Sequence, residues 1–175
     1  MKKTNEIIKP FAVLVIICVI AGGVLALTNH IASPIIEKNK LAAAEATRRE
    51  LLPTAATYEE LSLTDPKAAD SAYVGKDADG DVVGYIISVT RSGYKSVSVA
   101  VALDPEGTVT GLSVDVSSET KGIGSKAGEE AYVSKYIGIS DSADDVDLIA
   151  QATYSSSAVR ECVNAALDVY CKLGG

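Results

Sequence analysis

Two hydrophobic patterns divide the chain. From Pro10 to Asn29, PFAVLVIICVIAGGVLALTN, no residue is charged. At about 1.5 Å rise per residue, such a stretch covers roughly 30 Å, the hydrocarbon thickness of a bilayer. The run is long for a signal peptide and no clean A-x-A site follows it. Cys18 follows Val15-Ile16-Ile17, so the small residue that a lipoprotein box needs is missing. A retained transmembrane helix with its exit is therefore expected over residues 10–36, behind a short terminus of residues 1–9. Ser33-Pro34 should break that helix. Residues 37–52, EKNKLAAAEATRRELL, are rich in helix formers and stop before Pro53, as a short connecting helix would.

Beyond Pro53 the period changes from helical to alternating. Residues 53–70 look like a loop. Ala72–Lys76, the Asp79-Gly80 turn and Val82–Thr90 form a hairpin pattern. Val97, Val99, Val101 and Leu103 share one face of the next strand. Asp104-Pro105-Glu106-Gly107 suits a type I turn, and Leu112, Val114 and Val116 alternate after it. Four strands joined by short turns imply an antiparallel sheet. Residues 125–136 have helical character. Val159, Cys162, Val163, Ala166, Val169, Tyr170 and Leu173 recur at three- and four-residue spacing, which predicts an amphipathic helix over Ser155–Leu173, capped by Ser155 or Ser156. The expected class is α+β: one N-terminal transmembrane helix, then a small domain over residues 37–175 with a twisted antiparallel sheet flanked by helices.

Charge separates the same two regions. The 175 residues sum to −7. Lys2, Lys3, Lys9, Lys38 and Lys40 against Glu6 and Glu37 make residues 1–40 +3, so the remainder is −10. Lysines before the apolar run place the N-terminus in the cytoplasm and the domain outside. An acidic domain is a poor polyphosphate binder, which argues against a nucleic-acid partner. The single histidine, His30, sits where the apolar run ends and suits an interfacial residue. One histidine excludes a histidine-cluster metal site. The three cysteines, Cys18, Cys162 and Cys171, form no CxxC, so zinc ribbons and iron–sulfur clusters are excluded. Cys162 and Cys171 fall on opposite faces of one helix and are expected to be packing residues.

Two segments can carry chemistry. Ser117–Gly128, SSETKGIGSKAG, places three glycines directly after a strand, where backbone N–H groups can approach a ligand. It matches neither a P-loop nor a GxGxxG. Asp147–Val159, DLIAQATYSSSAV, gathers Thr153, Ser155, Ser156 and Ser157 at the start of the final helix. A helix start offers free N–H donors and suits a phosphate.

Taken in order, the elements are an anchor, an Asn-x-x-x-x-Pro exit, a connecting helix ending in Leu-Pro, a hairpin, DPEGTVTGL between strands, SxETxGxG, and DxxxxAT-x-x-S-x-AV. Over nearly the whole chain this order resembles the membrane-anchored, FMN-binding RnfG-like subunit of Rnf-type ion-translocating electron transport complexes. The resemblance implies an electron-transfer subunit of a ferredoxin:NAD oxidoreductase complex rather than an enzyme on its own. It also implies a place in the cell (inner) membrane as a single-pass protein with an extracytoplasmic domain. Its partners would be the other membrane subunits and, during maturation, a flavin transferase.

The resemblance further implies FMN bound through a phosphoester to Thr153, which follows Ala152 as in the family's Ser-Gly-Ala-Thr. Ser155 and Ser156 would serve as helix-cap and phosphate ligands. Ser117, Glu119, Thr120, Gly122, Ile123 and Gly124 match the family loop that lines the isoalloxazine, and Tyr94, after Gly93, would pack beside the ring. One departure stands out. Ala150-Gln151 replace the family's Ser-Gly, and a glycine needed there for positive φ or close approach is lost. Two other functions stay open on the sequence: a stand-alone membrane-anchored flavoprotein of extracellular electron transfer, and a flavin-free membrane-anchored scaffold module.

Overall fold

The computed structural model describes residues 2–63, 65 and 67–174, with side chains described outside residues 2–12 and 37. The side chains of Lys2, Lys3 and Lys9, used above for orientation, lie outside the described ones, as does that of Glu37. The described residues divide into two compact units, Met1–Glu45 and Ala46–Gly175.

Helix α1 runs from Lys2 to Leu51 and is long and apolar enough to cross a membrane. Its apolar side chains from Val13 to Ile36 are exposed. The expected break at Pro34 does not occur. A proline inside a helix costs about 3 kcal/mol. Ending the helix there would give up about four backbone hydrogen bonds, each worth about 1 kcal/mol net. Continuing is the smaller penalty, and strong helix formers follow at Leu41–Ala46. Ser33 Oγ donates to the Asn29 carbonyl at 2.8 Å within this stretch.

The second unit is built on a five-stranded antiparallel meander in sequential order: β1 (Thr57–Leu61), β2 (Ser71–Lys76), β3 (Val82–Arg91), β4 (Val97–Leu103) and β5 (Val109–Asp115). Strand β1 falls in the stretch expected to be loop. It is an edge strand whose side chains are exposed or half-buried, so it carries no clear alternation, and Glu59 and Glu60 discourage edge pairing. The other four strands fall where the alternation put them.

The core lies on one face of the sheet. Val97, Val99, Val101 and Leu103 are at most 1% exposed. Ile87 and Val89 pair with Val101 and Val99 and are equally buried. Helix α3 (Thr153–Leu173) packs across β3 and β4 and buries Ala158, Val159, Cys162, Val163, Ala166 and Val169. Val159, Val163 and Val169 each contribute roughly 1.5–3 kcal/mol. On the opposite face Leu52, Ile86 and Ala102 form a smaller cluster. Cys162 is a packing residue whose thiol burial pushes up to about 12. Cys171, by contrast, is exposed, because its position falls on the solvent side of α3.

Between β5 and α3 the expected single helix over 125–136 is three short pieces: a 3-10 turn at Gly124–Gly128, α2 (Glu130–Val133) and a 3-10 turn at Ser134–Tyr136. Gly124 and Gly128 disfavour a continuous helix, and Glu129 is extended. Tyr132 and Tyr136 are buried here with their hydroxyls 2.8 Å apart.

Candidate functional site

Three segments far apart in sequence converge on one carboxylate. Glu119, in the loop after β5, is 5% exposed. Its Oε1 accepts the Lys95 N–H at 2.8 Å, from the loop between β3 and β4. Its Oε2 accepts the Ser155 hydroxyl at 2.7 Å, from the first turn of α3. Each of these hydrogen bonds contributes about 1 kcal/mol net.

Two glycines make the approach possible. A Cβ on Gly124 would lie 2.6 Å from Ser155 Oγ and 2.8 Å from Glu119 Oε2. One on Gly93 would lie 3.0 Å from Glu119 Oε1 and 3.4 Å from Ser155 Cα. These glycines are thus consumed by internal packing rather than left open to a ligand. Gly122 turns the loop at φ +77°, and its N–H donates to Ser125 Oγ at 2.8 Å. Just upstream, the Ser117 side chain and N–H bond to Asp115 and hold its carboxyl below the usual range.

Some large apolar side chains next to this junction in sequence are exposed. Among the described residues of the second unit, the exposed ones are Val82, Tyr94, Ile123, Ile137 and Tyr154. Tyr94, Ile123 and Tyr154 adjoin Gly93, Gly124 and Ser155, the three junction residues. Tyr94 is 72% and Tyr154 76% exposed. An apolar ring would find its contacts here.

The start of α3 differs from expectation. The helix begins at Thr153, and Ala152 holds the cap position with no side-chain cap. Neither Ser155 nor Ser156 caps it, because both lie inside the first turn and their hydroxyls point into the fold. Ser156 is fully buried. Its hydroxyl donates to the Ala152 carbonyl at 2.9 Å and accepts the Ile149 N–H at 3.1 Å. Ser157 donates to Glu161 Oε1 at 3.2 Å. Thr153 is exposed at the helix's first position. The N–H groups of Thr153 and Tyr154 have no intrahelical acceptor.

The structure therefore brings Glu119, Gly124 and Ser155 into contact, with Tyr94, Ile123 and Thr153 beside them. Thr120 and Gly122 are exposed in the same loop, while Ala152 and Ser156 face inward. Sequence reasoning missed Tyr154, which gives no signal before its exposure is known. It also left Gln151 unresolved. Gln151 has φ +70°, the only non-glycine with positive φ among the described residues. The Ala152 N–H donates to the Ile149 carbonyl at 3.0 Å. Gln151 thus stands third in a four-residue turn, where a type II turn needs positive φ. A left-handed residue other than glycine costs about 1–2 kcal/mol. The two bonds of the Ser156 hydroxyl, about 1 kcal/mol each, offset that cost.

An FMN fits these residues: free N–H groups and a hydroxyl for the phosphate at the helix start, and apolar side chains for the ring at the adjoining junction.

Residues 93–168 match the FMN-binding domain family. The chain is 30% identical to the G subunit of the Na(+)-translocating ferredoxin:NAD(+) oxidoreductase complex of Acetobacterium woodii, over 92% of this chain and 90% of that one. It is 28% identical to the G subunit of the ion-translocating oxidoreductase complex of Methanosarcina acetivorans, over 96% of each. Among solved structures, Shewanella oneidensis NqrC aligns with 69% of this chain and 70% of that one, at 17% identity and TM-score 0.49. The chain belongs to the RnfG-type family of subunits of ion-translocating ferredoxin:NAD oxidoreductase complexes.

Proposed function

We propose that this protein is an electron-transfer subunit that carries FMN in a membrane-bound, ion-translocating ferredoxin:NAD oxidoreductase complex. The observation that supports it most is the meeting of the Glu119–Gly124 loop with the start of α3, where Thr153 is exposed. FMN supplies the reversible electron chemistry that no side chain here offers.

The chain's residues have distinct tasks in this reading. The N–H groups of Thr153 and Tyr154 face the phosphate, at the positive end of the α3 dipole. Tyr94 and Ile123 cover apolar ring surface. Glu119 and Ser155 hold the ring loop against the helix. Thr153 is the attachment residue. Its Oγ forms a bond to the flavin-side phosphorus of flavin adenine dinucleotide on a flavin transferase. The pyrophosphate P–O bond breaks, and AMP leaves with the hydroxyl proton. A covalent tether keeps the cofactor at high effective concentration on an extracytoplasmic domain. Helix α1 is the single membrane anchor and places that domain, with the lysines of residues 1–9 inside, beside the other subunits.

The test is expression of the full chain with its partner subunits and a flavin transferase. The wild type is expected to copurify with those subunits and to show flavin fluorescence after denaturing electrophoresis. Thr153→Val should lose the fluorescence and keep the subunits. Wild-type chain without flavin would defeat the proposal.

A further inference from the structure

We propose that the left-handed turn at Gln151, pinned by Ser156, is the device that presents Thr153 for flavin transfer. The acceptor segment then needs a backbone conformation, not a glycine. The inference rests on the reading of Thr153 as the attachment residue.

The chain uses glycine at every other positive-φ position among its described residues: Gly80, Gly84, Gly107, Gly122, Gly138 and Gly174. Gln151 is the exception, and it lies two residues before Thr153. A strained backbone persists only where its surroundings over-determine it. Here the surroundings are visible. The Ser156 hydroxyl joins the two ends of the turn, taking the Ile149 N–H and giving to the Ala152 carbonyl. The Ser156 carbonyl is in turn met by the buried Tyr132 hydroxyl at 3.4 Å.

The geometry has one outcome at the helix start: Ala152 is buried and Thr153 is exposed beside free N–H groups. A relaxed, negative φ at 151 would open the turn and redirect Thr153. The Gln151 side chain itself is exposed. Gln151 and Ser156 are thus positioning residues. The step they serve is the one above: the Thr153 Oγ–P bond forms, the pyrophosphate bond breaks, and AMP carries off the proton.

The experiment follows labelling of the full-length chain by a flavin transferase with flavin adenine dinucleotide, read as intact mass. Its variants are Gln151→Gly, Gln151→Asn, Gln151→Ala and Gln151→Val. Glycine and asparagine adopt the left-handed region readily, and β-branched residues do so least. Gly and Asn variants should label within about twofold of wild type, and Val roughly tenfold slower. The loss should fall on kcat, with KM for the dinucleotide unchanged, which a general loss of folded protein would not produce. Should the Val variant not fold, Asn against Ala carries the same test, with Asn several-fold faster.

Equal rates across the series would overturn the proposal. So would a wild type that stays unlabelled while Gln151→Gly is labelled: the side chain would then be the obstacle, and Thr153 would still be the acceptor. If neither is labelled, the covalent reading and this inference fall together.

Discussion

Of the two segments that meet at Ser155, one depends on a glycine and the other does without one. Gly124 has an ordinary negative φ, and what it supplies is the absence of a Cβ against Glu119 and Ser155. At position 151 the side chain has open solvent, and what matters is the sign of φ. Space cannot be restored by hydrogen bonds, whereas a conformation can be held by them. That is why glutamine is tolerated at 151 and why no larger residue should be tolerated at 124.

The largest effect that separates the two is expected from Gly124→Ala. The new methyl has no room, so Ser155 or Glu119 must move, at a cost of about 2–3 kcal/mol. Thermal melting of the full chain in detergent, followed by circular dichroism, should show a clear fall. A change within error would mean that the Glu119–Ser155 contact is loose.

Glu119→Ala should come next, at about 2 kcal/mol, since it strands the Lys95 N–H and the Ser155 hydroxyl. Glu119→Gln keeps an acceptor for Lys95 and should cost about half as much, in the same melting assay. Ser156→Ala removes both bonds that pin the turn and should cost about 1–2 kcal/mol. Hydrogen exchange should then show faster opening at Ala152, without a change at Val99 in the sheet.

The smallest effect has the opposite sign. Gln151→Gly relieves the left-handed strain and gives back part of it as chain entropy, for a net gain of about 0.5–1 kcal/mol. A loss of stability in this variant would mean that the glutamine side chain makes a contact of its own.

Legibility from sequence followed burial. Strands β2–β5 and helix α3 announce themselves because one face of each is apolar and the period is unbroken. Strand β1 is an edge with exposed side chains, so its sequence carries no such pattern. The continuous α1 defeats a rule about Pro34, because strong helix formers follow it and the hydrogen bonds kept outweigh one proline. At the site, the residue types of the Glu119 loop and of Thr153 were readable from the resemblance. The roles of Ser155 and Ser156 were not. A serine near a helix start can cap, bind a ligand or turn inward, and a shift of the helix start by two residues selects among these.

The most direct test of the central claim is fragmentation mass spectrometry of the tryptic peptide Tyr136–Arg160, which holds Thr153, Ser155, Ser156 and Ser157. The peptide should come from full-length protein made with a flavin transferase. The mass of FMN less water is expected on Thr153 and on no serine, and is expected to be absent in Thr153→Val. An unmodified peptide, or FMN on one of the serines, would contradict the claim.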